Sequence, residues 1–158
     1  MKFFLNNKFS IIASGLGIGL IPIAPGTFAS LLGLLLFIFI PIESNSFFHL
    51  LIIFLLLILG VWSSNNLSTP EDPDPSKVVI DEIVGIWISC LFLPKNSIWI
   101  IFAFILFRFF DISKIGGIKK IEKIPGGLGI MLDDVVAGIF VCGILNFAIF
   151  SDKFIFSS

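Results

Sequence analysis

The sequence predicts an all-α fold: a small polytopic helical membrane bundle with about four to five spans and an N-terminal re-entrant or interfacial segment. Three observations predict it. Hydrophobic residues make up 57% of the 158 residues and charged residues only 13%. Mean hydropathy is +1.11, outside the range of soluble globular domains. The apolar residues also fall in runs separated by short polar or proline-bearing stretches. The length has room for a single domain, residues 1–158. A net charge of −1 with no basic footprint excludes a nucleic-acid partner and leaves the lipid bilayer as the surrounding phase.

Residues 11–26 are interrupted by Gly15, Gly17, Gly19, Pro22 and Pro25, so they cannot be one regular helix. A re-entrant or interfacial piece whose irregular backbone is covered by protein fits better. Residues 28–42 form an apolar run, and residues 47–62, "FFHLLIIFLLLILGVW", form the clearest one. Residues 63–77, "SSNNLSTPEDPDPSK", contain three prolines and read as an ordered loop at the water boundary. Residues 78–93 resume the apolar pattern, residues 94–97 make a short turn, and residues 98–110 are a further span. A polar, basic stretch at 111–125 precedes the last span, 128–150. Several of these runs are shorter than the ~20 residues a full crossing needs, so their ends extend into the flanks or the bilayer thins.

Basic residues set the orientation. Lys2 and Lys8 precede the first span, and Arg108, Lys114, Lys119, Lys120 and Lys123 cluster around the loop after residue 110. The opposite turns hold Glu43 and Lys95. The positive-inside rule therefore places the N-terminus and the 111–125 loop in the cytoplasm, and alternation places the 63–77 loop there too. Asp81, Glu82, Asp111, Asp133 and Asp134 then converge at one face, slightly below the membrane surface.

Such acids are costly in hydrocarbon, about 2.5–3.5 kcal/mol each at mid-bilayer. Arg108 and Lys114 are the local bases, and Arg108 is in reach of Asp111 at i+3. More acids than bases remain. A divalent cation resolves the excess, and oxygen-only ligands point to Mg²⁺ rather than zinc. "DEIVG" at 81–85 and "DDVVAG" at 133–138 share one design: two acids, β-branched residues, then glycine about a turn later. Gly85, Ala137 and Gly138 permit the close backbone approach that brings the carboxylates to a common ion. "PIAPGT" at 22–27, with Thr27 as N-cap or hydroxyl donor, and "IPGGLG" at 124–129 offer backbone N–H groups to phosphate oxygens.

His49 maps to the opposite face and reads as an interfacial residue. Cys90 and Cys142 read as buried small hydrophobes. "DPDPS" at 72–76 superficially matches an aspartyl-phosphate nucleophile motif, which must follow a buried strand; here it sits in a hydrophilic loop.

The blocks "PIAPGTFAS" (22–30), "DPDPSKVVIDEIVG" (72–85), "FRFFDISK" (107–114) and "PGGLGIMLDDVVAGI" (125–139) resemble the A-type phosphatidylglycerophosphatases of bacterial membranes. The resemblance spans most of the chain. It implies Mg²⁺-dependent removal of the terminal phosphate from phosphatidylglycerophosphate, yielding phosphatidylglycerol, at the cytoplasmic face of the inner membrane. Carried onto matching positions, the polar residues of that family are Thr27, Ser30, Asp72, Asp81, Glu82, Arg108, Asp111, Lys114, Asp133 and Asp134. In that reading Asp72, Asp81, Glu82, Asp133 and Asp134 hold the metal, and Asp81 or Asp134 serves as base. Arg108 and Lys114 neutralise the phosphomonoester, Thr27 and Ser30 orient it, and Asp111, Gly85 and Gly138 support the site. The chain departs from the family pattern at Ala29 and after Lys114, where Ile115-Gly116-Gly117 replaces the usual prolines. A divalent-cation transporter or channel is the alternative that intramembrane carboxylates also fit, but the far half of each span offers almost no polar residues for an ion path.

Overall fold

The computed structural model describes residues 8–115, 117–121 and 124–156. Lys2 and Lys123, which bear on orientation, and Gly116 lie outside the described residues. The helices in chain order are α1 (Lys8–Ala13), a 3-10 turn (Ile18–Leu20), α2 (Pro25–Phe39), α3 (Phe47–Asn65), α4 (Ile80–Ser89), α5 (Ser97–Ser113), α6 (Ile118–Ile121) and α7 (Gly127–Phe156). No strand occurs among the described residues, in keeping with the all-α expectation.

The N-terminal stretch is irregular where glycines and prolines predict it. After α1 the chain reverses through Gly15, Leu16 and Gly17, all at positive φ. It re-enters a helix at Pro25, whose missing N–H costs nothing in a first turn. The N-cap of α2 is Ala24, in the left-handed region at φ 50° and without a side-chain cap. Thr27 is therefore not the N-cap expected from the sequence. Proline at the first helical position starts the helix three residues earlier and leaves Thr27 in its first turn.

α4 is the axis of the molecule. Every residue in it is buried except Asp81 and Glu82, which are partly exposed. It packs against α2, α3, α5 and α7. The α4–α7 contact is set by glycine on both sides. A Cβ on Gly138 would stand 2.6 Å from the Gly85 carbonyl oxygen, and one on Gly85 would stand 2.5 Å from the Phe107 ring. Ala137, fully buried, continues the small-residue seam. On the other side of α4, Trp87 Nε1 donates to the Gly33 carbonyl of α2 at 2.7 Å.

The surrounding helices turn apolar side chains outward. Leu31, Leu35 and Phe39 of α2, Phe54, Leu55 and Ile58 of α3, Ile101, Phe102 and Ile105 of α5, and Ile139, Ile144 and Phe147 of α7 are all exposed. So broad an apolar exterior is what a lipid-facing bundle presents. Among the described residues, two helices are long and apolar enough to cross a membrane: α3, and α7 over Gly127–Ser151. The sequence expectation was about four to five spans. α2, α4 and α5 have 15, 10 and 17 residues, and α4 at about 15 Å is half the hydrocarbon thickness.

Polar side chains close the inner end of this short helix. Asn146 Nδ2 donates to the Leu91 carbonyl at 3.0 Å, and Ser44 Oγ donates to the Leu93 carbonyl. Lys95 Nζ donates to the Phe37 and Ile40 carbonyls at the end of α2. His49 belongs to the same end. It is buried rather than interfacial: its Nδ1 lies 3.0 Å from the Ser44 carbonyl and its ring sits between Phe37 and Trp87. Cys90 is fully buried, and Cys142 is half-buried against the Leu91 carbonyl.

If the Gly85–Gly138 seam sets the α4–α7 spacing, Gly138→Val will lower the melting temperature of detergent-solubilised protein by several degrees, from about 1–3 kcal/mol of overpacking. Gly143, where a Cβ meets nothing within 4 Å, is the control. Gly143→Ala will leave the melting temperature unchanged or raise it slightly.

Candidate active site

Four elements bring polar side chains to one end of the bundle. α4 contributes Asp81 and Glu82 in its first turn, where the helix dipole favours acids. α7 contributes Asp133 and Asp134. The last turn of α5 and its C-cap contribute Arg108, Asp111 and Lys114, spaced three residues apart and so on one face. The loop before α4 contributes Asp74 and Ser76. Together with Ala24, Pro25 and Gly26, these residues except Asp134 line a cavity of ≈ 270 Å³.

Helical geometry separates the two adjacent aspartates, because neighbours on a helix point about 100° apart. Asp133 turns toward α5: it is hydrogen-bonded to Lys114 Nζ through Oδ2, and its Oδ1 accepts the Asp134 backbone N–H at 2.9 Å. Asp134 turns toward α4 and is buried to 1% exposure. There one oxygen from each of Asp81, Glu82 and Asp134 lies within 4.8 Å of the others.

The bases are already engaged with other acids. Arg108 Nη1 contacts Asp111 Oδ2 at 2.5 Å and donates to Ser30 Oγ at 3.3 Å. Ser30 in turn donates to the Gly26 carbonyl, so it seats the guanidinium and is not part of the cavity wall. Lys114 also reaches Asp111, at 3.4 Å. Burial works against the Lys114 ammonium, but the bond to Asp133, with Asp134 and Asp111 near, outweighs it and raises the pKa above the ordinary lysine value. A raised lysine pKa means that the stability contributed by the Lys114 ammonium is fully present below ~10.4, so long as Asp133 is ionised, and is lost as pH rises through the higher folded value.

Three acids are left over. Asp81 Oδ1, Glu82 Oε2 and both carboxylate oxygens of Asp134 are buried without a hydrogen-bond partner. Five carboxylates line the cavity (Asp74, Asp81, Glu82, Asp111 and Asp133) with two bases, Arg108 and Lys114, and a sixth acid, Asp134, brings an oxygen within 4.8 Å of Asp81 and Glu82. Buried carboxylates in such excess are costly unless they are protonated or meet a cation. The donor set is oxygen alone, which suits a hard divalent ion such as Mg²⁺, and the orphaned oxygens are where it fits. Gly26 shapes the same corner: a Cβ there would collide with Glu82 Oε1 and stand 3.4 Å from Arg108 Nη1.

Two residues expected at the site lie elsewhere. Asp72 is held in a turn in which its N–H donates to Thr69 Oγ1 at 3.1 Å and its carbonyl accepts from the Thr69 N–H. It lines a separate small cavity with Thr69 and Lys77, and Asp74 is the loop acid that fronts the acidic cluster. Thr27 is half-buried in α2 and does not line the cavity. One residue has a role the sequence reading did not assign. Asn65, the last residue of α3, accepts the Gly127 N–H at 2.6 Å and so caps α7 from outside that helix, six residues before Asp133.

A family model described as phosphatidylglycerophosphatase A matches residues 11–149, nearly the whole chain. The chain belongs to the phosphatidylglycerophosphatase A family. Membership makes it an enzyme, a phosphatase of phosphoric monoesters. A putative phosphatidylinositol-3-phosphatase of Bacteroides thetaiotaomicron is 40% identical over 137 residues, covering 82% of this chain and 86% of that protein. Phosphatidylglycerophosphatase A of Escherichia coli is 36% identical over 151 residues, covering 90% and 84% of the two chains. Phosphatidylglycerophosphatase A of Haemophilus influenzae is 38% identical over 151 residues, covering 94% and 92%. No solved structure matches the chain significantly.

Within this family member, loss of the Asn65 cap is expected to act on the start of α7. Asn65→Ala will cost about 1 kcal/mol of stability, read as a lower melting temperature in detergent. Asn65→Asp, which keeps the acceptor and adds charge at a helix N-terminus, will restore it.

Proposed function

We propose that the protein is a Mg²⁺-dependent lipid phosphatase that hydrolyses phosphatidylglycerophosphate to phosphatidylglycerol and phosphate. We place it as a multi-pass bundle of about four to five spans in a bacterial inner membrane, with the acidic cavity facing the cytoplasm. The observation that carries the reading is the convergence of Asp81, Glu82 and Asp134, buried and unpartnered, beside Arg108 and Lys114 in a member of this family. The apolar exterior and the two long apolar helices support the membrane placement.

Asp81, Glu82 and Asp134 would hold the ion. When bound, a divalent cation supplies Lewis-acid polarisation of phosphate oxygens and a water of lowered pKa. Arg108 and Lys114 line the cavity and offset the charge of the phosphomonoester dianion, Arg108 with an Nε–H that has no protein partner. Ser30 and Asp111 hold the guanidinium in place, so its orientation is set before substrate arrives. Asp81 or Asp134 accepts the proton that water releases as it attacks phosphorus and returns it to the alcohol oxygen as the P–O bond breaks, giving phosphatidylglycerol and inorganic phosphate. Asp133, neutralised by Lys114, fixes that lysine at the cavity wall.

Phosphate release by purified protein from phosphatidylglycerophosphate and from phosphatidic acid, with EDTA and then with Mg²⁺ restored, tests the reading. Release from the former that EDTA abolishes and Mg²⁺ restores is expected. Asp134→Asn and Glu82→Gln will lower turnover by at least about a hundredfold while the helical circular dichroism is kept. Full activity in EDTA, or wild-type turnover in both variants, would overturn the metal assignment.

A further inference from the structure

A second cavity, of ≈ 430 Å³, opens beside the acidic one. The two share Asp74 and Asp133 as a common wall. Beyond that wall the chemistry changes. The lining passes to Pro73, Ile124, Pro125 and Ile130, and among the described residues around it only Asp74 and Asp133 are charged. A phosphate group is better served next door, because Arg108 and Lys114 line the acidic cavity and no Arg or Lys is among the described residues lining this one. Hydroxyl groups fit here, because carboxylate oxygens keep spare lone pairs after one hydrogen bond each. The apolar floor suits a carbon skeleton, and the volume falls in the range of small-ligand pockets.

The walls are also stiff. Pro73 and Pro125 have fixed φ. Between Pro125 and α7 the chain turns at Gly126, φ 77°, and is pinned one residue later by Asn65. Gly129 lies so close to the Ile124 carbonyl that a Cβ would collide with it. A rigid wall beside a phosphate site is what headgroup discrimination requires. The relatives differ in just this respect, one being named for an inositol lipid and two for a glycerol lipid at comparable identity.

Building on the phosphatase reading, we infer that this second cavity receives the hydroxylated alcohol that carries the phosphomonoester. Asp74 and Asp133 accept its hydroxyl hydrogen bonds, and Ile124 and Ile130 set the size of polyol admitted. The phosphate sits with Arg108 and Lys114, and the polyol extends across the shared wall.

Ile124, 38% exposed, stands where substitution can narrow the cavity without disturbing buried packing. In Ile124→Trp the KM for phosphatidylglycerophosphate is expected to rise about tenfold, with inhibition by inorganic phosphate unchanged. Ile130→Ala, which enlarges the same space, is expected to raise kcat/KM for a phosphatidylinositol monophosphate relative to phosphatidylglycerophosphate. An unchanged KM in Ile124→Trp would overturn the inference, as would an equal loss of phosphate inhibition. Failure of the wild-type protein to release phosphate from either lipid would instead overturn the phosphatase reading itself.

Discussion

Backbone contact between α4 and α7 is the constraint on which the rest depends. Where Gly138 lies against the Gly85 carbonyl, no side chain intervenes, and the two helices come as close as helices can. Each glycine sits about one turn beyond an acidic pair, so the approach that joins the helices also joins Asp81 and Glu82 to Asp134. Electrostatic repulsion works against that arrangement. Packing along the whole seam, through Ala137 and the buried face of α4, holds it. The fold therefore imposes the acidic cluster and leaves carboxylate oxygens in it that no protein group satisfies.

Around this seam the charged groups divide into two sets. Arg108, Asp111, Lys114 and Asp133 satisfy one another, with Ser30 fixing the guanidinium. Asp81, Glu82 and Asp134 are left with oxygens that no protein group satisfies. The first set is ready to meet an anion and the second a cation, and both border one cavity. A single ionic network spread evenly over all the groups would leave neither capacity.

Much of this was legible in the sequence because the signals were local. Glycines and prolines at 15–25 break the chain where the structure turns, and the apolar runs mark α2, α3, α4, α5 and α7 to within a few residues, while α6 lies in the stretch read as a polar loop. The i+3 spacing of Arg108 and Asp111 anticipated their ion pair, and the paired DEIVG and DDVVAG patterns anticipated the close helices. What escaped was decided by nonlocal geometry. Asp72 and Asp74 are equivalent in composition, and only the Thr69 turn assigns Asp74 to the cavity. Asn65 looks like an unremarkable helix end until Gly127 arrives from sixty residues away. Thr27 was misplaced because proline at position 25 can start a helix without a side-chain cap. Hydropathy marks the apolar runs but does not show how far a half-length helix such as α4 reaches.

The shortness of α4 also bears on how the molecule is assembled. Ten residues give too little hydrophobic length to settle across a bilayer unaided. Its inner end depends on Asn146 of α7 for the Leu91 carbonyl, and its acidic cluster is completed by Asp134 of α7. Both are synthesised after it. α4 must therefore take its place late, slotting between helices already anchored. The enzyme's reactive centre is in this sense a product of the finished chain, absent from any nascent intermediate.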